Sequence, residues 1–354
     1  MRLRPGLVPP PCCTLLLTLT LVAGASCGAA GAPPGSSMDS GVSADAGSSR
    51  DAGVSPDAGW PLPAGFTRET LSVAGTSRFF LAHVPPGLTF PAKAVVLVLH
   101  GGGGLGAEGV SAVGAHPLSV FRTVADERGF VVLYPNGLNE NWNDCRSDGV
   151  GSSADDVAFL DAVLDAAEAK YGVSSSRLFM TGGSNGGLMT FRYAFERTAR
   201  LRAVAAGSAN LPGKPEPGRC TSGPDRALPI LLTHGTADPL MPYDGGCLLA
   251  PVLPGCRGGT LQSAVATRDF WLARNGVAGT TPVVTTIDVN PGDPGPAHRA
   301  VFDGASPVEW WRLEGAGHAS PSLTVQVDDG NAGPQNRDVE FARLTWDFFE
   351  RLLP

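Results

Sequence analysis

Ser184 stands in Thr181-Gly182-Gly183-Ser184-Asn185-Gly186-Gly187, and its surroundings are those of a nucleophile. An apolar, strand-like run over 178–180 precedes it and a helical pattern over 185–196 follows. A strand-to-helix turn that sharp brings backbone against backbone, so glycines flank the serine and its hydroxyl is pushed out at the carboxyl edge of a sheet. A serine alkoxide is not available at neutral pH. A base must take the proton, and an acid must hold that base in one tautomer. After a serine in this setting the acid and then the histidine follow in chain order. Asp238, in His234-Gly235-Thr236-Ala237-Asp238-Pro239, comes just after an apolar run over 229–233, and His318, in Gly315-Ala316-Gly317-His318, just after one over 308–313. Both are therefore expected at the sheet edge where Ser184 emerges. Asp225 precedes its strand and Asp244 lies further into the loop. His83 and His298 belong to an early strand and a Gly/Pro-rich loop, and His116 precedes the serine.

Attack on an acyl carbon creates an oxyanion, which needs preorganised backbone donors. The amide of Asn185, at the start of the helix, is one candidate. The second is expected in His100-Gly101-Gly102-Gly103-Gly104, from Gly102 or Gly103, because this loop follows a buried strand. A phosphate cradle is the alternative for such a loop, but it lacks both a following G-x-G-x-x-G helix start and a Walker lysine.

The elements that must position these groups alternate strand and helix, the pattern of an α/β chain with a mostly parallel sheet covered on both faces. Residues 94–99 are unbroken apolar, as in a strand buried on both faces. Strands are also expected at 78–84, at an antiparallel edge, and at 130–134 and 203–206. Helices are expected at 118–128, 264–274 and 338–353. After Asp155-Asp156, the residues Val157, Leu160, Val163, Leu164 and Ala167 share one helical face, with the acids at the positive end of its dipole.

The 354 residues are 43% hydrophobic and 17% charged, ordinary for a chain with a sizeable core. A net charge of −7 without clustered Lys and Arg argues against a nucleic acid partner. Residues 1–27 read as an export signal: Arg2 and Arg4 begin it, and an apolar run from Cys13 to Ala25, too short to span a bilayer, ends in small residues. Ala23-Gly24-Ala25 suits ordinary cleavage, whereas Val22-Ala23-Gly24-Ala25-Ser26-Cys27 has the form of a lipobox that would lipidate Cys27 and anchor the protein to a membrane. Residues 28–59 are Gly, Ser, Ala, Pro and Asp with almost no large apolar side chain, a composition that cannot offset ordering entropy; they are expected to be a disordered tether. One catalytic domain is expected over 60–354.

Four cysteines remain beyond the signal: Cys145, Cys220, Cys247 and Cys256. Export permits disulfides, and the short Pro/Gly-rich span between Cys247 and Cys256 favours local closure, which leaves Cys145 for Cys220. No C-x-x-C or closely spaced His pair accompanies them, so no metal is expected.

These segments together resemble a known group. Leu99-His100-Gly101-Gly102-Gly103, Tyr134-Pro135-Asn136-Gly137, Trp142-Asn143, Asp155-Asp156-Val157-Ala158-Phe159-Leu160, Gly183-Ser184-Asn185-Gly186-Gly187, His234-Gly235-Thr236-Ala237-Asp238 with Pro242-Tyr243, and Gly317-His318 occur in the order of the extracellular polyhydroxybutyrate depolymerase-like esterases, which include feruloyl and acetylxylan esterases and LpqC-type lipoproteins. The resemblance implies an α/β-hydrolase fold, a Ser184-Asp238-His318 triad, no cofactor, and Trp142 and Tyr243 near a substrate cleft. It also implies an ester substrate, polysaccharide-linked or polyester, and no protein partner. Ala319-Ser320-Pro321 stands where these esterases often carry an aromatic residue after the histidine. Feruloyl or acetyl esters of plant polysaccharide are the first expectation and short polyhydroxyalkanoates the second. A serine peptidase on the same fold and a non-catalytic surface-binding lipoprotein are the rival readings.

Overall fold

The computed structural model describes residues 62–146, 151–215, 220, 223–327 and 330–354; the export signal with Cys27 and the tether lie outside them. In chain order the elements are β1 Phe66–Val73, β2 Thr76–His83, β3 Val95–Leu99, α1 Gly106–Ser111, α2 Val120–Arg128, β4 Val131–Pro135, α3 Asp156–Tyr171, β5 Leu178–Gly183 and α4 Asn185–Glu196. There follow β6 Ala203–Gly207, β7 Ile230–Gly235, β8 Gly246–Cys247, β9 Thr260–Leu261, α5 Ala264–Arg274, β10 Val283–Ile287, β11 Ala297–Phe302, β12 Val308–Leu313 and α6 Phe341–Glu350.

Ten strands form one sheet in the order β1-β2-β4-β3-β5-β6-β7-β12-β11-β10. The six from β4 to β12 are parallel, and an antiparallel pair closes each side. The run at 94–99 is continuous in apolarity because both faces of β3 are covered. Val95, Leu97 and Leu99 join the core that holds Leu160 and Val163 of α3, Leu188 and Phe191 of α4 and Trp271 of α5. Val96 and Val98 join the opposite core, with Phe121 and Val124 of α2 and Trp346 and Phe349 of α6. The strand period of two thus divides one sequence run between two layers.

Helix ends follow local chemistry. Asp155 accepts from the Ala158 amide at 3.0 Å to cap α3, and Ser263 accepts from the Ala266 amide at 3.0 Å to cap α5. Helices α2 and α3 stop at Gly129 and Gly172, both left-handed.

Two expectations change. The strand expected at 78–84 is not the sheet edge, because β1 pairs outside it in a hairpin. His298, assigned from sequence to a loop, lies on β11, paired with β10 and β12. Both disulfides form between the expected partners, Cys145 with Cys220 and Cys247 with Cys256, at Cα separations of 5.6 and 4.8 Å.

Candidate active site

Ser184 follows β5 and opens α4 with φ 56° and ψ −125°, a conformation that costs an L-residue about 1–3 kcal/mol. The turn is held because its neighbours leave no room to relax. A Cβ on Gly182 would lie 2.5 Å from the Gly186 backbone, and one on Gly186 would lie 2.4 Å from the carbonyl oxygens of Leu99 and His100. These two glycines of the G-x-S-x-G pattern are therefore required by contact between β5, α4 and the end of β3.

Asp238 follows β7 and His318 follows β12, the strand beside it. Their side chains meet, with His318 Nδ1 2.8 Å from Asp238 Oδ2. The other carboxylate oxygen, Oδ1, accepts from the Leu240 and Met241 amides at 2.9 and 2.8 Å, so the carboxylate cannot rotate away. Burial works to raise the Asp238 pKa, but the charge and hydrogen bond of His318 outweigh it and the pKa is lowered. His234 lies against the same carboxylate, 3.7 Å from Oδ2. It donates from Nε2 to the Met241 carbonyl at 2.8 Å, and burial lowers its pKa.

The end of β6 joins these loops to Ser184. The Ser184 amide donates to the Gly207 carbonyl at 3.0 Å, and the hydroxyl of Ser208, the next residue, donates to the His318 carbonyl at 2.8 Å. A Cβ on Gly183 would touch Ser320 Oγ at 3.5 Å. The histidine loop is thus laid against the serine turn. Its amides at Gly317 and His318 donate to the carbonyls of Pro334 and Ala332, both at 2.6 Å.

The His100-Gly101-Gly102 loop lies on the other side of Ser184: a Cβ on Gly101 would be 3.5 Å from Ser184 Cβ, and one on Gly102 would be 3.2 Å from Asn185 Cβ. The Gly103 amide donates to the Glu140 carbonyl at 3.0 Å, so of the two glycines expected to supply an oxyanion donor only Gly102 is retained. The Asn185 amide, at the first position of α4, has no carbonyl available from its own helix. His100 fixes the loop from below. Its Nε2 accepts from the Gly137 amide at 2.9 Å, which leaves the proton on Nδ1 to donate to the Gly101 carbonyl at 2.6 Å. Burial lowers the His100 pKa to about 4, so the ring is neutral at physiological pH.

Trp142 corrects the sequence reading. It is fully buried (0% exposed), it lies at a tilt against the His100 ring at 4.9 Å, and its indole N–H donates to the His100 carbonyl at 2.9 Å. It supports the glycine loop from inside and cannot form a cleft wall. Tyr243 is half-buried, with its ring edge-on to His234 at 5.8 Å, beside the acid loop. The rival histidines are engaged elsewhere: His83 with Asp126 and the Gly65 carbonyl, His298 with Thr286, and His116 with the Leu118 amide.

Sequence reasoning missed Ser208 and the pair Asp144 and Arg146. Asp144 and Arg146 are buried next to Cys145, and Asp144 Oδ2 accepts from Asn185 Nδ2 at 2.7 Å. The available signal was two opposite charges flanking a cysteine three residues after a tryptophan.

With this geometry in place, comparison with known proteins is informative. Residues 143–264, which include Ser184 and Asp238, match the model of the family described as Phospholipase/Carboxylesterase. The chain is 34% identical over 189 residues to the esterase NocK of Nocardia uniformis, covering 51% of this chain and 50% of that one. It is 36% identical over 120 residues to feruloyl esterase C of Emericella nidulans, covering 34% and 40%. Feruloyl esterase D of Neurospora crassa is 28% identical over 225 residues, covering 62% and 61%. The chain spans about half the length of the curated relatives it matches. Among solved structures, the acetyl xylan esterase from Aspergillus awamori superposes with a TM-score of 0.51 at 18% identity, covering 80% of this chain and 99% of that one. The chain has the α/β-hydrolase fold, and its sequence resembles the feruloyl esterase group.

Proposed function

We propose that this chain is a carboxylic ester hydrolase in which Ser184 is the nucleophile, His318 the base and Asp238 the group that orients His318. The observation that carries the reading is the strained conformation of Ser184, because φ 56° with ψ −125° lies outside the left-handed helical well and a non-glycine residue is held there only where surrounding contacts enforce it. The His318–Asp238 contact and the laying of the His318 loop against the serine turn support it.

In the first half-reaction Ser184 Oγ attacks the ester carbonyl while His318 takes its proton and then returns it to the leaving alcohol. The Asn185 and Gly102 amides receive the oxyanion, and neutral His100 keeps the glycine loop in shape. Water, deprotonated by His318, attacks the acyl-enzyme and releases the acid, restoring Ser184. Asp238 stays ionised throughout; its lowered pKa fits that role.

Feruloyl or acetyl esters attached to polysaccharide are the substrates best supported, because several relatives and a structural neighbour of this chain bear those names. Short polyhydroxyalkanoates come second, and Tyr243 belongs in this reading to the substrate cleft, which its half-burial beside the acid loop supports. Export to an oxidising compartment belongs with this reading, which two disulfides support, and lipidation at Cys27 would tether the enzyme to the envelope. Acid release from methyl ferulate, acetylated xylan and short polyhydroxybutyrate, each with Ser184→Ala as blank, tests it. Turnover of an ester by the wild type that vanishes in Ser184→Ala is expected; equal turnover by both would overturn the assignment.

A further inference from the structure

Polar contacts run without a break from the candidate oxyanion amide to the second disulfide loop. Asn185 is clamped through its side chain: Oδ1 accepts from the Trp142 amide at 2.7 Å, and Nδ2 donates to the Trp142 carbonyl at 3.2 Å and to Asp144 Oδ2 at 2.7 Å. Asp144 is gripped in turn by Arg146, whose Nε lies 2.9 Å from both carboxylate oxygens and whose Nη2 lies 2.7 Å from Oδ2. Arg146 Nη1 then donates to the Gly258 carbonyl at 2.9 Å, two residues past Cys256. Cys145, between the two charges, is tied to Cys220.

All three side chains are buried. A buried ion pair seldom adds stability over apolar packing of the same volume, so stability does not account for one placed here. What the pair does fix is an orientation. Asn185 is the first residue of α4 and shares its peptide link with Ser184, so a side chain that cannot rotate sets the direction of its own N–H.

We propose that Asp144, held by Arg146, is a positioning residue of the oxyanion hole: it locks the Asn185 side chain and thereby aims the Asn185 amide at the developing negative charge. The inference rests on the acyl-transfer reading above. Asp144 acts only through Asn185, so its loss lowers kcat and leaves KM in place.

Two neutral pairs isolate the effect, because neither leaves a lone buried charge to unfold the chain. Asp144→Leu with Arg146→Met removes the acceptor for Asn185; Asp144→Asn with Arg146→Met keeps an oxygen there. Both are assayed on an activated ester with active sites counted by a fluorophosphonate. The Leu/Met pair is expected to lose about 10- to 100-fold in kcat with KM within about 2-fold, short of the roughly 10²–10³-fold that removal of an oxyanion donor costs. The Asn/Met pair is expected within about 3-fold of wild type on the same scale. Affinity for a trifluoromethyl ketone, which forms the tetrahedral adduct, should fall in parallel with kcat/KM. Asn185→Ala alone should match the Leu/Met pair, and combining them should cost little more. Equal kcat in the two pairs, a loss confined to KM, or additive losses with Asn185→Ala would each overturn the proposal. Failure of the underlying reading looks different: the wild type would resist the fluorophosphonate, or Ser184→Ala would match it in turnover.

Discussion

Replacing Ser184 by alanine and by glycine separates the chemistry of the turn from its strain. Both variants lack the hydroxyl and should be inactive, yet they should differ in stability. At φ 56° and ψ −125° an L-residue pays about 1–3 kcal/mol, and alanine keeps that cost because it keeps the Cβ. For glycine the conformation is the mirror image of polyproline II and is intrinsically allowed. Glycine gives back about 0.5–1 kcal/mol through the greater freedom of its unfolded chain. The net expectation is that Ser184→Gly is more stable than Ser184→Ala by about 1 kcal/mol, which moves Tm by about 2–4 °C in a domain of this size. Urea unfolding followed by tryptophan fluorescence measures it, with equal slopes required so that the two denatured states are comparable. A glycine variant equal to or weaker than the alanine variant would refute the claim that the turn stores strain.

Asp238→Asn should lower kcat by about 10⁴-fold: with Oδ1 kept on the Leu240 and Met241 amides, the new NH2 faces His318 Nδ1 and forces the proton onto the wrong nitrogen, which steady-state kinetics will register. Trp142→Phe should cost about 1–2 kcal/mol through the lost bond to the His100 carbonyl while KM stays unchanged; a rise in KM would return Trp142 to the cleft. Burial raises the Glu340 pKa above its ordinary 4.5 although Ser322, Thr324 and the Leu323 amide donate to it. The folded state then holds the proton more tightly, so this contribution to stability is full below the unfolded pKa and is lost as pH rises through the folded one. Unfolding free energies of wild type relative to Glu340→Gln should therefore fall as pH climbs from about 4. Removing the Cys145–Cys220 bond, which closes a separation of 75 residues, should cost about 4 kcal/mol by the chain-entropy relation, read as a lower urea midpoint for Cys145→Ala/Cys220→Ala.

Elements whose side chains meet the core were legible in the sequence. The bounds of α5 and β12 agree with their apolar periodicity, because burial on one face is what periodicity records, and those of α4 agree although it is buried nearly all round. β1 and β10 escaped for the opposite reason. β10 leaves Val283 and Val284 66% and 63% exposed, and β1 runs through the consecutive polar residues Thr67 to Thr70, so neither writes a core pattern. Ser184, Asp238 and His318 could be placed because each follows a strand that is itself legible. Trp142 could not, since nothing in its neighbours says whether the chain turns it outward to a ligand or inward onto His100. The Gly102 and Gly103 ambiguity needed the backbone of Glu140, whose left-handed conformation no residue-type preference signals, although that of the preceding Asn139 is one that asparagine favours.

The histidine loop carries a consequence for synthesis. His318 is fastened by the carbonyls of Ala332 and Pro334, and the Phe341 amide, opening α6, donates to Pro321. A ribosome makes the serine turn well before these fasteners, which lie about 150 residues further along the chain. A nascent chain that already displays Ser184 therefore lacks the fasteners of the His318 loop until those residues have emerged, and on the acyl-transfer proposal its serine stands until then without a placed base.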